Sequence, residues 1–255
     1  MNRRTYTVEA FVVHRRDLGE TDKLIVLFTR EMGRLTAIAR GARKPGSPLA
    51  GSTDALCFAK FHLSKGRQFE YVTQAQPLRT FAHVRGDLIR TACALELAEI
   101  IERAMGDQQP NEAVYDLALL TMELLDGASD PAAVSAWSEM HLMRVLGYRP
   151  RLDDCASCNQ PLPPRAAFSP GAGGFLCRPC AETKRDALGL SAEAVSELRS
   201  LASSEFPPEC LRTCGALRRV FRRVWQHVLD SDLRSASFLD DLLSVGSAGA
   251  GGTER

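Results

Sequence analysis

The sequence predicts a multidomain α+β protein, in which a small N-terminal β-barrel is followed by an α-helical domain that carries an inserted four-cysteine zinc module. Three observations predict this class. Apolar residues alternate with a period of two before Pro77, and they recur with a helical period after it. Two Cys-x2-Cys pairs, separated by 18 residues, interrupt the helical part. The predicted boundaries are 1–81 for the barrel, 82–150 and 188–245 for the helical domain, 151–187 for the module and 246–255 for a disordered tail.

The barrel is predicted from five short apolar segments that turn-forming residues separate. Five strands within about 80 residues are typical of a closed or nearly closed barrel, and the pattern leaves an SH3-like barrel and a small sandwich open. One face of the first strand carries Tyr6, Val8, Ala10 and Val12. The other predicted strands are residues 23–28, 34–40, 55–63 and 68–75.

The helical domain is predicted from amphipathic segments with N-cap residues. Asp130-Pro131 is an N-cap and first-turn pair for a helix that Gly147 ends, and Ser191 caps another helix. Further helices are predicted over residues 84–105, 112–126 and 213–230. The apolar face of the helix over 84–105 consists of Leu88, Cys93, Leu95, Leu97, Ile100 and Ile101.

The composition is that of a soluble globular protein, with 45% hydrophobic and 25% charged residues. No apolar run reaches the roughly 18 residues of a membrane span, and the N-terminal MNRRTYTVEAF lacks the apolar core of a secretory signal. We therefore expect a cytoplasmic protein without a membrane partner. In that compartment the eight cysteines are expected to be thiols or metal ligands.

The net charge of +1 hides a strong partition along the chain. Residues 1–81 contain 14 Lys/Arg and 7 Asp/Glu, whereas residues 82–147 contain 4 Lys/Arg and 11 Asp/Glu. The first third of the chain is therefore predicted to be a cationic module, and the segment that follows it is acidic.

The cysteine pairs predict one structural Zn²⁺ ion. Each pair provides two thiolates from one tight turn, and a hairpin between the pairs would bring all four around the ion. Four protein ligands leave no position for water or substrate, so the ion would stabilise the fold without reacting. Four free thiols, an iron–sulfur cluster and a redox-active pair are the less favoured alternatives. The predicted ligands are Cys155, Cys158, Cys177 and Cys180.

The chain lacks the motifs of common catalytic sites. It contains no Gly-x4-Gly-Lys-Ser/Thr, Gly-x-Ser-x-Gly or His-Glu-x-x-His, and its five histidines are scattered. The glycine- and arginine-rich run at 40–46 resembles a phosphate loop, but no predicted helix follows it. We therefore expect a protein that is not an enzyme. A zinc hydrolase would need an open position on the metal.

Seven basic residues of the first third come mostly from strand ends and loops, and they predict a nucleic-acid surface. Loops that converge on one part of a barrel could line a groove for a sugar–phosphate backbone. A solvated basic loop is the alternative. The predicted contact residues are Arg34, Arg40, Arg43, Lys44, Lys65, Arg67 and Arg79. The aromatic candidates for base stacking are Phe58, Phe61, Phe69 and Tyr71, and about half of such strand aromatics are expected to face the core instead.

A second basic cluster is predicted on the helix over 213–230. It could extend a DNA track or receive an acidic peptide, and a solvated face balanced by Glu193, Glu197 and Glu205 is slightly favoured. The members of this cluster are Arg218, Arg219, Arg222 and Arg223.

The run GETDKLIVLFTREMGRLTAIARGARKPGS closely resembles the N-terminal signature of the RecO family of bacterial recombination-mediator proteins. The order of the predicted elements matches that family over nearly the whole chain. The family's Gly-Arg and Ala-Arg-Gly-Ala-Arg pattern falls on Gly33, Arg34, Ala39, Arg40, Gly41 and Arg43.

The resemblance implies that the barrel is an OB-fold and that the protein binds single- and double-stranded DNA and anneals complementary strands. It also implies a nucleoid-associated role in DNA repair and recombination. The implied partners are the RecR protein, single-stranded-DNA-binding protein and, indirectly, the RecA recombinase that they help to load. The alternative function is a non-catalytic adaptor whose acidic helical domain docks another protein.

Overall fold

The computed structural model of this protein describes residues 5–249, with side chains as far as Leu243. Five strands close into a barrel in the order β1-β2-β3-β5-β4, and every pair is antiparallel except β3 with β5. This OB-like barrel confirms the predicted fold class and excludes the small sandwich. The strands are β1 (Thr5–Leu18), β2 (Asp22–Thr29), β3 (Gly33–Ala39), β4 (Phe58–Ser64) and β5 (Glu70–Arg79).

The two faces of strand β1 enter two different cores. Val8 and Ala10 belong to the barrel interior, whereas Phe11 and Val13 pack with residues of the helical domain. A bulge after Val12 marks the region where the pairing of β1 passes from β4 to β2. Strand β2 is also buried on both faces, which explains its unbroken apolar run.

The helices and the cysteine module follow the barrel in the predicted order. The helical domain begins with α1 (Ala82–Gly86), α2 (Leu88–Ala104), α3 (Glu112–Gly127) and α4 (Pro131–Val145). The module contains β6 (Ala167–Ser169), β7 (Gly174–Leu176), α5 (Arg178–Ala181) and β8 (Leu188–Gly189). The chain then returns to the helical domain as α6 (Ala192–Ser203), α7 (Cys214–Leu229) and α8 (Arg234–Gly249).

Two details of the predicted helices are wrong. Asp87 has an extended backbone, and its carboxylate accepts a hydrogen bond from Arg90 N–H at 2.8 Å, so it starts a new helix inside the predicted 84–105 segment. Leu88, the first residue of that new helix, is 66% exposed and therefore does not belong to the apolar face. The predicted caps Asp130 and Ser191 are confirmed by hydrogen bonds to the first turns of α4 and α6.

The predicted C-terminal tail is helical in its first part. Helix α8 ends at Gly249 and so includes residues 246–249. The rest of the predicted tail, residues 250–255, lies outside the described residues.

An aromatic cluster forms the apolar centre of the interface between barrel and helices. The ring centroid of Tyr115 in α3 lies 6.2 Å from that of Phe28 and 6.4 Å from that of Phe58. Phe11 contacts Phe58 and Phe81 at 6.0 and 6.2 Å. Burial of one such side chain stabilises by about 1.5–3 kcal/mol, which is more than one exposed ion pair contributes.

Ion pairs surround the aromatic cluster and join the basic barrel to the acidic helices. Arg30, between β2 and β3, binds Asp116 at 2.6 Å and Glu112 at 3.0 Å. Exposed pairs of this kind contribute about 0–1 kcal/mol each, so they orient the two parts more than they hold them. The other pairs across the interface are Arg34–Asp107, Arg79–Glu123 and His14–Glu102.

All 11 carboxylates of residues 82–147 have a partner within the chain. Those that pair with the barrel are Glu102, Asp107, Glu112, Asp116 and Glu123. Those that accept hydrogen bonds from backbone N–H groups near helix starts are Asp87, Glu99, Asp126 and Asp130. The two in the helical core are Glu96 and Glu139.

Arg218 joins helices through a buried ionic cluster. Its guanidinium on α7 binds Glu96 of α2 at 3.1 Å and Asp240 of α8 at 2.6 Å, and the residue is 8% exposed. In the same cluster, Glu139 of α4 accepts a hydrogen bond from Trp225 Nε1 at 2.9 Å. Burial raises the pKa of both Glu96 and Glu139, and the positive charge of Arg218 opposes that rise.

We expect Gly33→Ala to destabilise the protein strongly. Gly33 has φ +67°, and a Cβ atom there would lie 2.2 Å from the carbonyl oxygen of Gln109, so the loop between α2 and α3 would have to move. Backbone strain and the clash together should lower the free energy of unfolding by about 3 kcal/mol or more, as measured by urea denaturation. Gly46→Ala is the matched control, because Gly46 also has a positive φ but has open space around its Cβ position. Equal losses for both variants would contradict the close approach.

Arg218→Met is expected to lower the free energy of unfolding by about 3–5 kcal/mol, because it leaves buried carboxylates without their cation. Thermal and urea denaturation at neutral pH measure the effect. Arg222→Met is the control: Arg222 is half-exposed and contacts only Asp240 among the ion pairs, at 3.4 Å, so its loss should be about 1 kcal/mol or less. Equally small losses in the free energy of unfolding for Arg218→Met and Arg222→Met would contradict a stabilising role of this ionic cluster.

Candidate nucleic-acid interface and metal centre

The pairing of β3 with β5 lies at the ends of these strands that do not pair with the helical domain. Strand β3 meets that domain at its start, through Arg34, and β5 meets it at its end, through Arg79. The pairing is short, with Ala37 beside Glu70 and Ile38 beside Tyr71. The loop that follows β3 and the turn that precedes β5 therefore meet at one place on the barrel surface, which we call the seam.

Tyr71 connects the two sides of the seam. The guanidinium carbon of Arg40 lies 4.5 Å from the centroid of its ring, a distance typical of cation–π contacts. The same ring approaches Gly66, where an added Cβ atom would come within 2.8 Å of it. Because Gly66 is flanked by Lys65 and Arg67, this contact brings the β4–β5 turn and its two cations next to Arg40.

The loop after β3 is anchored to the turn between β1 and β2. Gly41 N–H donates a hydrogen bond to Asp22 at 2.8 Å, and the guanidinium of Arg43 binds Asp17 at 3.2 Å. The hydrogen bond from Gly41 lowers the pKa of Asp22, and the nearby positive side chains of Arg40 and Lys44 add to this. The loop therefore holds its basic residues in defined positions on the barrel.

Five of the seven predicted DNA-contact residues lie at the seam. Lys44, Lys65 and Arg67 are exposed and form no ion pair with any described residue. Arg34 and Arg79 are separated from them, because each binds a carboxylate of the helical domain. We call the five residues at the seam the seam cluster: Arg40, Arg43, Lys44, Lys65 and Arg67.

Two of the four aromatic stacking candidates face a core, in line with the expected half, and sequence reasoning missed part of the domain interface. Phe61 is fully buried in the barrel, and Phe58 lies in the aromatic cluster between the domains, so neither can stack on a base. Phe69 and Tyr71 remain partly exposed at the seam. Arg30 was not identified as an interface residue, although the opposite charges of residues 1–81 and 82–147 were a signal for such pairing.

The basic cluster on α7 is divided in the structure. Arg218 is buried in its ion pairs, and Arg222 contacts Asp240, whereas Arg219 and Arg223 are exposed and form no ion pair with the described residues. The acidic residues expected to balance them lie elsewhere. Glu197 accepts hydrogen bonds from the backbone at the start of α7, and Glu193 lies near Arg212. The structure shows no described contact between Glu205 and this cluster.

The four predicted cysteine ligands come together in the module. Their Sγ atoms all lie within 4.8 Å of one another, and those of Cys158 and Cys177 are 3.6 Å apart. A tetrahedral site with metal–sulfur bonds of about 2.3 Å places its sulfurs about 3.8 Å apart, so the four thiols fit a metal ion. The ligand set is Cys155, Cys158, Cys177 and Cys180.

Backbone N–H groups prepare Cys155 for metal binding. Burial favours the neutral thiol, but N–H groups of Cys177, Cys158 and Ser157 point at the sulfur and bring the pKa of Cys155 down to about 6. Thiolates are the metal-binding form of cysteine, so this sulfur is ready to bind a cation at neutral pH. Such N–H donors form the outer shell that orients ligands in metal sites.

Comparison with known proteins decides the family. The family profile described as "Recombination protein O N terminal" matches residues 1–81, and "Recombination protein O C terminal" matches residues 85–236. The chain belongs to the RecO family. The five barrel strands, which run from Thr5 to Arg79, lie within the residues that the N-terminal profile matches in this RecO-family protein.

Several curated RecO-family relatives align over almost the whole chain. One from Roseiflexus sp., named DNA repair protein RecO, is 38% identical over 95% of this chain and 87% of its own length. Relatives of the same name from Desulfitobacterium hafniense (strain DCB-2) and Symbiobacterium thermophilum are 34% and 31% identical. They cover 96% and 94% of this chain, and 93% and 98% of their own lengths. The chain is therefore a DNA repair protein of the RecO family.

Among the described residues, no helix is both long enough and apolar enough to span a membrane.

We expect Cys158→Ser to reduce the metal content of the purified protein from one ion per chain to well below one, because one of four thiolates is lost. Elemental analysis measures the amount and identity of the metal. Cys210→Ser is the matched control, since Cys210 is also exposed but lies outside the quartet. Full metal retention by Cys158→Ser would contradict a four-thiolate site.

Proposed function

We propose that this RecO-family protein binds single- and double-stranded DNA through the seam cluster. The observation that carries the proposal is a group of exposed cations at the seam, Lys44, Lys65 and Arg67, which form no ion pair with any described residue and lie next to the Arg40–Tyr71 pair. Cations without ion-pair partners attract phosphates and release counterions when they bind. Aromatic rings beside them offer a face to bases of any sequence.

The proposed activity is strand annealing without bond-making chemistry. Positive side chains that neutralise phosphates on two strands reduce the repulsion between those strands, and base pairing then provides the driving force. The seam cluster contains arginines and lysines on an open surface and needs no nucleophile or general base for this task. The protein is accordingly proposed to act without enzymatic catalysis.

The proposed context is recombinational repair. Together with RecR, the protein would help to load RecA onto DNA that is covered by single-stranded-DNA-binding protein. The support for these partners, and for association with the nucleoid in the cytoplasm, is membership of the RecO family. The sequence resemblance implied them, and the relatives are named for DNA repair.

The proposed metal is one structural Zn²⁺ ion held by Cys155, Cys158, Cys177 and Cys180. Four sulfur ligands at tetrahedral spacing favour zinc over harder cations. When bound, the ion would cross-link a segment rich in proline and glycine. With all four positions taken by thiolates, it would have no place for a substrate.

The adaptor alternative gains no support from the acidic helical domain. The 11 carboxylates of residues 82–147 all have partners within the chain, and five of them bind the barrel. An acidic docking surface for a basic protein needs carboxylates that are not already engaged.

Replacement of Lys44, Lys65 and Arg67 together by alanine is expected to weaken binding to unrelated single-stranded sequences to the same extent. Loss of three phosphate contacts should also reduce the slope of log K against log salt by about 2. Fluorescence anisotropy across a salt series measures both quantities. The control is Arg178→Ala/Lys184→Ala/Arg185→Ala, which removes the same charge from exposed positions on the module. Unchanged affinity and slope in the seam variant, or equal effects in both, would contradict the proposed site.

A further inference from the structure

Two adjoining clefts lie at the base of the cysteine module, away from the barrel. The first, of 340 Å³, lies between the end of α4, the module and α7, and is mainly apolar. The second, of 490 Å³, lies between the segment that enters the module and α6. Both are lined by Arg149 and Pro150, so they form one continuous surface. Neither the seam cluster nor the metal site includes these residues.

Tyr148 is presented to the first cleft by the end of α4. Gly147 has φ +85°, its N–H donates to the carbonyl of Arg144 at 3.2 Å, and Tyr148 N–H donates to that of Met143 at 2.7 Å. These two bonds are the Schellman motif, which ends a helix in a fixed geometry. The Tyr148 side chain is nevertheless 50% exposed. A half-exposed aromatic ring, carried by a fixed backbone at the mouth of an apolar cleft, offers a face on which a base can stack.

Three arginines line the second cleft, and two of them are held in place by the module. The side chain of Arg151 donates to Asn159 at 2.6 Å, and Asn159 directly follows the metal ligand Cys158. Arg199 donates to the carbonyl of Leu152 at 2.9 Å. These bonds leave each guanidinium with further N–H groups, because a guanidinium has five.

Arg149 is the third arginine and connects the two clefts. It is exposed and forms no ion pair with any described residue. Asp153 is the one carboxylate among the residues that line the two clefts, and His227 is the other titratable group apart from the arginines and Tyr148. The charge of the combined surface is therefore positive.

We propose that this surface is a second binding site for single-stranded nucleic acid, with a base against Tyr148 in the apolar cleft and the adjacent backbone phosphates on Arg149, Arg151 and Arg199. Planar arginine forks suit phosphate oxygens, and an aromatic ring beside them suits a base. The apolar cleft and the arginine-lined cleft adjoin at Arg149. The base and the neighbouring phosphates of one strand therefore bind at the same time. Where the module binds its metal, the same cysteine loop that holds the ion also positions Arg151 through Asn159.

This inference rests on the proposed function and extends it, because it assigns a separate binding site to the second DNA strand. The barrel contacts the helical domain through α2 and α3, whereas the clefts are built from the end of α4, the module, α6 and α7. One chain would then carry one strand at the seam cluster and another at the clefts. Annealing requires such simultaneous binding of two strands.

The test uses the full chain and two non-complementary oligonucleotides of about 12 nucleotides, within the range of single-strand site sizes, labelled with a fluorescence donor and an acceptor. The unmodified protein should show energy transfer, because both strands bind one chain. Tyr148→Ala and Arg149→Glu should each weaken binding of the second strand by about tenfold and reduce the transfer accordingly. Binding of the first strand should change less than about twofold.

The matched control is Arg165→Glu, because Arg165 is also exposed and unpaired among the described residues but lines a different cleft of the module. It should retain energy transfer. An oligonucleotide that carries 4-thiothymidine should cross-link to Tyr148 on irradiation, and Arg149→Glu should reduce this product. Circular dichroism and metal content confirm that each variant is folded.

Three outcomes would overturn the inference. The first is full energy transfer in both Tyr148→Ala and Arg149→Glu, and the second is an equal loss of transfer in Arg165→Glu. The third is an Arg149→Glu variant that no longer binds a poly-glutamate peptide but still binds the second DNA strand with unchanged affinity, which would identify a peptide site. The triple alanine variant of Lys44, Lys65 and Arg67 distinguishes failure of this inference from failure of the proposed function. It should abolish binding of the first strand but leave the cross-link to Tyr148.

Discussion

The docking of the basic barrel onto the acidic helical domain is the constraint on which the rest of the structure depends. Aromatic side chains from β1, β2, β4 and α3 provide the apolar contact, and a ring of ion pairs orients it. The helical carboxylates are used within the chain, and so are the barrel cations that face them. What remains is the seam, where Lys44, Lys65 and Arg67 are exposed and form no ion pair within the described part of the chain. A nearly neutral protein can therefore present a local cationic surface.

The cysteine module is stabilised in a different way from the rest of the chain. Its strands are short, and its buried Phe168 and Phe175 belong to the core of the helical domain. Its four thiols lie at metal-binding distances, and a metal ion there would cross-link the segment in addition to that shared core. Through the bond between Asn159 and Arg151, the cysteine loop also fixes a side chain outside the metal site. Structural stabilisation and presentation of charge are in this way combined in one small unit.

The distribution of arginines shows that residue type alone does not define a binding surface. Arg218 and Arg219 are neighbours in the sequence, yet the first is buried in a cluster of carboxylates and the second is exposed. Arg34 and Arg40 belong to the same strand and loop, yet one binds the helical domain and the other lies on Tyr71. Burial and the identity of the nearest carboxylate decide whether an arginine is available to a phosphate.

The sequence by itself determined the features that depend on local pattern. Strand and helix periodicity, the caps Asp130 and Ser191, the cysteine spacing and the RecO signature were all readable, because each is set by residues close together in the chain. The break at Asp87 was missed because the apolar pattern continues across it. Only the tertiary structure decided which cations are paired, that Phe58 and Phe61 are buried, and that the cleft beside Tyr148 adjoins a cleft lined by three arginines. Those facts depend on contacts between residues far apart in sequence, and periodicity carries no information about such partners.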